Sequence, residues 1–305
     1  MIITVFPGQG SQTPGFLLPW LDVPGVRAAL ERYSDDAQVD LIAAGTEWDA
    51  DRIRDTRIAQ PLIVAASLVS FAALTEAGTD PAGVAGHSVG EIAALVAAGV
   101  LSDTDGMSLV GIRGRAMSEA AAIETTGMSA ILGGDQDAVL ARLAELDLTP
   151  ANFNGGGQIV AAGALPALAE LGADAPKATR VIPLQVAGAF HTRFMAPAVE
   201  TLRAAAADVT VADPRATLWT NNDGSAVTDG RTALNLVVDQ VASPVRWDLC
   251  MASFADQGVT GIIELAPAGT LVGLAKRALR GVPTVAVKTP DDLAAATALL
   301  TGADA

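Results

Sequence analysis

Apolar and polar positions along this chain switch between a short period and a helical one, and the switches predict its elements. Residues 2–6, Ile-Ile-Thr-Val-Phe, form a nearly continuous β-branched run, as in a central strand covered on both faces. Residues 17–33 read as a covering helix and 46–58 as a polar connection. A helix is expected over 61–77, where Pro61 suits a first turn and Gly78 a stop. Gln60 would then lie just before it, where a polar residue usually caps. Gly83-Val84-Ala85 is a short apolar approach to Gly86-His87-Ser88-Val89-Gly90-Glu91. An alanine-rich helix follows over 92–98, which Gly99 ends, and another opens at Asp103 and runs to 122.

The pattern changes near 127. Strands are expected over 128–132, 152–154, 158–162 and 178–184, and helices over 135–146 and 165–171; Gly155-Gly156-Gly157 joins the middle strands as a hairpin. The order β-α-β-β-α-β is that of a ferredoxin-like unit. It implies a small domain over 127–188 inserted into a large one made of 1–126 and 189–305. Beyond it come a helix over 193–207, a strand over 216–220 and a helix over 232–241. Ser243-Pro244-Val245-Arg246-Trp247 begins another helix; a strand over 261–265, a helix over 270–279 and a strand over 284–288 follow. A short tail of small residues comes after Leu300. Strands alternating with helices imply an α/β fold with a mostly parallel sheet.

Composition narrows the function classes. Half of the 305 residues are hydrophobic and 17% are charged, enough to bury a substantial core. The formal net charge of −15 argues against bulk nucleic-acid binding and against an anionic membrane surface. Cys250 is the only cysteine, so neither an intrachain disulfide nor a cysteine metal cluster is expected, and no metal site is. The amino end lacks the basic region of a signal peptide. The uncharged stretch 58–75 is interrupted by Gln60, Pro61, Ser67 and Ser70, which fits a buried helix better than a membrane span of about 20 apolar residues. A soluble cytoplasmic protein is the reading.

The Gly-X-Ser-X-Gly turn carries the candidate chemistry. Glycines at 86 and 90 allow a tight strand-to-helix bend that projects the Ser88 hydroxyl. The Val89 amide then starts a helix, where unpaired N–H groups and the dipole favour an oxyanion. Serine needs a base, and there are two histidines. His87 adjoins Ser88 on a sharp turn, where neighbouring side chains point apart, so its place is beneath the turn. His191 is the candidate base by elimination. A third group should fix its tautomer, and spacing alone does not choose among the aspartates. Arg113 could hold a carboxylate with a two-pronged hydrogen bond, and Ser88, His191 and Arg113 together suggest acyl transfer from an acid-bearing substrate. Pro7-Gly8-Gln9-Gly10-Ser11-Gln12, at the end of the first strand, is where open α/β sheets place ligands. A serine hydrolase or thioesterase is the rival on the same turn, and Arg113 with the 7–12 loop argues for transfer.

Six motifs stand in order: the 7–12 loop, Ile58-Ala59-Gln60-Pro61, Gly86-His87-Ser88-Val89-Gly90-Glu91, Arg113-Gly114-Arg115-Ala116-Met117, Gly188-Ala189-Phe190-His191-Thr192 and Ser243-Pro244-Val245-Arg246-Trp247. With them the chain resembles the malonyl-CoA:acyl-carrier-protein transacylases of fatty-acid synthesis, in their actinobacterial form, over essentially its whole length. The resemblance implies an α/β-hydrolase-like large domain with a ferredoxin-like insert. It implies Ser88 as acylated nucleophile, His191 as general base and acid, and the Gln9 and Val89 amides as oxyanion hole. Arg113 would bind the malonyl carboxylate, Gln60 would line the site, and the Gln240 carbonyl, in place of an aspartate, would orient His191. Phe190 resembles the bulky residue of malonyl-selective members. No cofactor is implied; malonyl-CoA is the substrate and acyl carrier protein brings the phosphopantetheine. Lys276, Arg277 and Arg280 are the expected docking patch for that acidic partner, on a monomer. Whether the carrier served belongs to fatty-acid or polyketide synthesis stays open at this point.

Overall fold

Four consecutive buried positions in β1 (Ile2–Phe6) demand cover on both sides, and the strand has it. Ile3 and Val5 face one apolar layer and Phe6 the other, as a two-residue period requires. The computed structural model describes residues 1–76 and 78–302. After β1 the expected helix over 17–33 is broken: a 3-10 turn at Leu18–Asp22 is followed by α1 (Val26–Ala37). Pro24 lacks an N–H and Gly25 takes φ 80, which separates the two. α2 (Leu41–Thr46) falls where the residue pattern predicts no element, and the expected polar connection over 46–58 is largely helical, through α3 (Ala50–Arg54) and the start of the next helix; Asp40 and Asp49 cap α2 and α3. Helix α4 (Thr56–Thr75) starts well before Pro61, at the Asp55 cap, which accepts the Arg57 N–H at 3.0 Å. Gln60 is therefore a buried position inside the helix and not a cap. The expected last residue of this helix, Ala77, lies outside the described residues. α4 is long and apolar enough to cross a membrane by composition, yet 72% of its most apolar window is buried within the protein.

β2 (Gly83–Gly86) leads into α5 (Gly90–Ala97), and Ser102 caps α6 (Asp103–Ala121). Then comes a separate four-stranded unit: β3 (Thr126–Gly133), α7 (Gln136–Glu145), β4 (Thr149–Gly155), β5 (Gln158–Ala164), α8 (Leu165–Ala173) and β6 (Thr179–Pro183). Its strands lie in the order β4-β5-β3-β6, all antiparallel, over a small core that includes Ile131, Leu143 and Leu171. The chain continues through α9 (Ala196–Ala207), β7 (Thr217–Trp219), β8 (Ala226–Val227), α10 (Gly230–Asp239), α11 (Trp247–Asp256), β9 (Gly261–Glu264), α12 (Thr270–Ala278), β10 (Thr284–Ala286) and α13 (Leu293–Thr301). β8 and α13 fall where the residue pattern predicts no element; of the expected tail, residues 303–305 lie outside the described residues.

The larger sheet runs β10-β9-β1-β2-β7-β8, parallel throughout except for the β7–β8 pair. The fold is thus mixed α/β, with a parallel-rich sheet and a separate antiparallel one. Because Phe6 is in register with Gly86, the loops after β1 and β2 leave the sheet side by side. They approach so closely that a Cβ on Gly90 would lie 2.2 Å from the Phe6 carbonyl oxygen, and one on Gly86 2.0 Å from Gly90. The antiparallel unit is tied to this end of the sheet through its edge. Phe153 donates to the Val245 carbonyl, and Val245 to that of Ala151, each at 2.9 Å.

Candidate active site

The bend after β2 puts Ser88 at φ 54, a left-handed conformation that the crossing glycines make room for. Its Oγ lies 2.7 Å from Nε2 of His191. His191 Nδ1 is 2.8 Å from the Gln240 carbonyl oxygen. A carbonyl can only accept, so Nδ1 carries the proton and Nε2 is left to accept from the serine hydroxyl. His191 itself sits at φ 61, in a loop pinned by the Ala189 N–H on Thr126 Oγ1 at 2.9 Å and by Thr192 Oγ1 on the Ala189 carbonyl at 2.6 Å. Burial, and next the positive charge of Arg113, push the His191 imidazole down to about 3, so it rests neutral and ready to accept a proton. His87 points elsewhere: its Nε2 is 2.9 Å from Asn154 Oδ1, and its ring meets Trp247 edge-on at 5.7 Å.

Arg113 projects from the buried face of α6 and is 1% exposed. Nη1 donates to Gln60 Oε1 at 2.6 Å, and Nη2 to Gln240 Oε1 at 3.0 Å and towards Ser88 Oγ at 3.5 Å. Its Nε is buried without a partner, and among the described residues no carboxylate forms an ion pair with it. Burial lowers its pKa to about 10, still cationic at neutral pH. A buried cation held by two neutral amides is a seat for an anion from outside.

Gln9, Gln60, Val89 and Phe190 line the same cavity of ≈ 240 Å³ as Ser88, Arg113 and His191. Its far wall comes from the antiparallel unit, through Met128 and Val160. Among the described residues neither the Gln9 nor the Val89 amide meets an acceptor. The Gln9 side chain is turned away, onto Thr56 Oγ1 at 3.2 Å. Gln240 stands behind His191. Lys276, Arg277 and Arg280 are exposed at the far end of α12, whose first turns, at Thr270, Leu271 and Leu274, reach the cavity.

Two residues that the sequence reading passed over stand behind the elbow. Asn221 Oδ1 accepts the Ser88 N–H at 2.8 Å, and its Nδ2 donates to the Gly86 carbonyl at 2.8 Å. Glu91 accepts the Asn221 N–H at 2.7 Å and makes a very short contact with Gln240 Nε2. Asn221 follows β7, the neighbour of β2, but in sequence it shows only as an Asn-Asn-Asp-Gly turn. Glu91 lies inside a quoted motif, and nothing in its spacing announces a partner 130 residues away.

Residues 3–297 match the acyl transferase domain family. The malonyl CoA-acyl carrier protein transacylase of Mycobacterium tuberculosis is 53% identical over 96% of this chain and 98% of its own length. Its crystal structure superimposes with a TM-score of 0.93 over 96% of this chain and 98% of that one. A malonyl-transacylase solved in complex with a type II PKS acyl-carrier protein is 31% identical, with a TM-score of 0.91 over 97% of this chain and 98% of that one.

Proposed function

The chain belongs to the malonyl CoA-acyl carrier protein transacylases, within the acyl transferase domain family, and we propose that it carries the malonyl group on Ser88. It transfers malonyl from malonyl-CoA to the phosphopantetheine thiol of acyl carrier protein. The observation that carries the site assignment is Arg113: a buried cation with no carboxylate in ion-pair contact among the described residues, 3.5 Å from the candidate nucleophile.

His191 Nε2 takes the Ser88 proton as Oγ attacks the thioester carbonyl. The tetrahedral oxyanion rests on the Gln9 and Val89 amides, where one such donor typically contributes roughly 3–4 kcal/mol. The C–S bond breaks, His191 returns its proton to the departing coenzyme A sulfur, and malonyl-Ser88 remains. The phosphopantetheine thiol then gives its proton to His191 and attacks the ester, and Ser88 Oγ leaves protonated. Both half-reactions use one base, which gives ping-pong kinetics. The Gln240 carbonyl stabilises the imidazolium formed in each. Exchange of one thioester for another is redox-neutral, so we assign no cofactor. Arg113 holds the malonyl carboxylate with Gln60 beside it, and Phe190 crowds an α-methyl branch, for a discrimination of about 10–200-fold.

The strand order β4-β5-β3-β6 supports reading the antiparallel unit as a ferredoxin-like domain over 127–188, set into an α/β-hydrolase-like domain of 1–126 and 189–305. We assign the product to fatty-acid synthesis, in a cytoplasmic, monomeric enzyme that receives the carrier near Lys276, Arg277 and Arg280. Incubation with malonyl-, methylmalonyl- or acetyl-CoA, followed by intact-mass analysis, is the test. A malonyl adduct that carrier protein discharges and that Ser88→Ala abolishes is expected. An adduct surviving in Ser88→Ala, or release as free malonate in place of transfer, overturns the reading.

A further inference from the structure

Glu91, in the first turn of α5, is 3% exposed, and none of the transfer steps above uses it. Both its oxygens face donors: Oε1 the Asn221 N–H at 2.7 Å, Oε2 the Gln240 side-chain amide. That is the arrangement of an ionised carboxylate. Burial raises Glu91 to about 8 even against the Asn221 N–H and the charge of Arg113, which work to lower it, so the carboxylate is its main form above that pH.

The Gln240 amide meets opposite demands at its two ends. Nε2 faces two acceptors, Glu91 Oε2 and Asn221 Oδ1, the latter at 3.1 Å. Oε1 is thereby the atom presented to Arg113 Nη2, at 3.0 Å. With its ends exchanged, the amide would set an NH2 group against the guanidinium, donor against donor. The Asn221 side chain is already committed to the elbow through Ser88 and Gly86. Glu91 is the charged group that decides which way the Gln240 amide points.

Resting on the reading of Arg113 as the malonyl anchor, we propose that Glu91 is a positioning residue for malonyl recognition: its carboxylate orients the Gln240 side-chain amide, which holds Arg113 on the substrate carboxylate. The elbow is supported from the same carboxylate through Asn221, but by the other oxygen, so the two arms are separable. Gln at position 91 keeps an oxygen for the Asn221 N–H and offers an NH2 to Gln240. The Gln240 amide must then turn its oxygen to Gln at 91 and its NH2 to Arg113.

Assayed at about pH 9, the full-length Glu91→Gln enzyme is expected to lose on the order of ten- to a hundredfold in kcat/KM for malonyl-CoA, mainly through KM, the cost of one hydrogen bond to a charged group. Acetyl-CoA transfer and fluorophosphonate labelling of Ser88, neither of which uses the carboxylate seat, should change less than threefold. Gln240→Leu removes the relay but leaves the main-chain carbonyl to His191; it should show the same malonyl-selective loss, and the double variant no more than either single one. Equal losses for malonyl and acetyl, additive losses in the double variant, or no loss in Glu91→Gln would overturn the proposal. If Glu91→Gln does not fold, Gln240→Leu decides: a malonyl-selective loss supports the relay and an unselective one overturns it. Failure of the wild-type enzyme to form a malonyl adduct overturns the proposed function instead, so the two failures are told apart.

Discussion

Arg113 and His191 line one cavity, and burial lowers the pKa of both; the Arg113 charge lowers His191 further, while the charge of Glu91 works to raise Arg113. The Arg113 charge is stabilised by two amides when the site is empty, and by a carboxylate when malonyl is bound. Arg113→Ala should therefore cost malonyl transfer about 2–5 kcal/mol in kcat/KM, the range for truncating one partner of a buried charge pair. Acetyl transfer should move little; equal losses with both acyl-CoAs would remove Arg113 from the seat. His191, pushed down to about 3, stays neutral where an ordinary imidazole is protonated. The acid limb of kcat/KM should then lie well below pH 6.5, and a limb centred near 6.5 would show that the base is not desolvated. The stability sign follows from the same shift. Between about 3 and 6.5 the unfolded chain binds this proton and the folded one does not, so the contribution of His191 is present above 6.5 and is lost as pH falls towards 3. Urea melts across that window should show midpoints falling with acid.

Glu264, at the end of β9, shows how an element is set relative to the site. Its carboxylate accepts the N–H groups of Gly269, Leu271 and Val272, each at 2.9 Å, and so fixes the amino end of α12. Those amides are the ones a helix leaves unpaired, and a negative charge suits the dipole there. Thr270, Leu271 and Leu274 then fall on the cavity wall. Glu264→Ala should destabilise the fold by on the order of 3 kcal/mol, since it strands buried donors. It should also raise KM for malonyl-CoA more than it lowers kcat, because α12 forms wall and no reacting group. An unchanged denaturation midpoint would refute the cap. Asp55 makes the matching point for α4: its side chain moves the start of that helix ahead of Pro61, which carries Gln60 inside and onto Arg113.

For the whole molecule, the net charge of −15 opposes approach by an acidic carrier, so a local basic surface has to overcome it. Lys276 and Arg277 are exposed in the last turn of α12 and Arg280 just beyond it, and a Cβ on Gly156 would lie 3.2 Å from the Arg277 Cβ. The patch thus borders the glycine hairpin of the antiparallel unit as well as the larger sheet. Reversing the three charges should raise KM for acyl carrier protein at least about tenfold at low salt, with malonyl-CoA hydrolysis and Ser88 acylation unchanged, and added salt should shrink the difference. An unchanged carrier KM would move the docking surface elsewhere.

Elements with a strong local signature were legible from the residues alone. The β-branched run of β1, the glycine-bounded turn at Ser88, the hairpin at 155–157 and the alternation that defines the antiparallel unit all depend on nearest neighbours. The order of motifs likewise brought Ser88, His191 and Arg113 forward, because the type and rarity of those side chains carry chemistry wherever they lie. Other outcomes depended on packing. Helices α2 and α3 are only six and five residues long, and their caps count only once Leu41 and Ile53 have a core to enter. Glu91, Asn221 and Gln240 are common residues at separations of 149 positions or fewer, and only the parallel pairing of β2 with β7 and the return of the chain after α10 set them within hydrogen-bond reach. A reactive side chain can be read from local chemistry. The acceptor that aims it is decided by desolvation and geometry, which exist only after the chain has closed on itself.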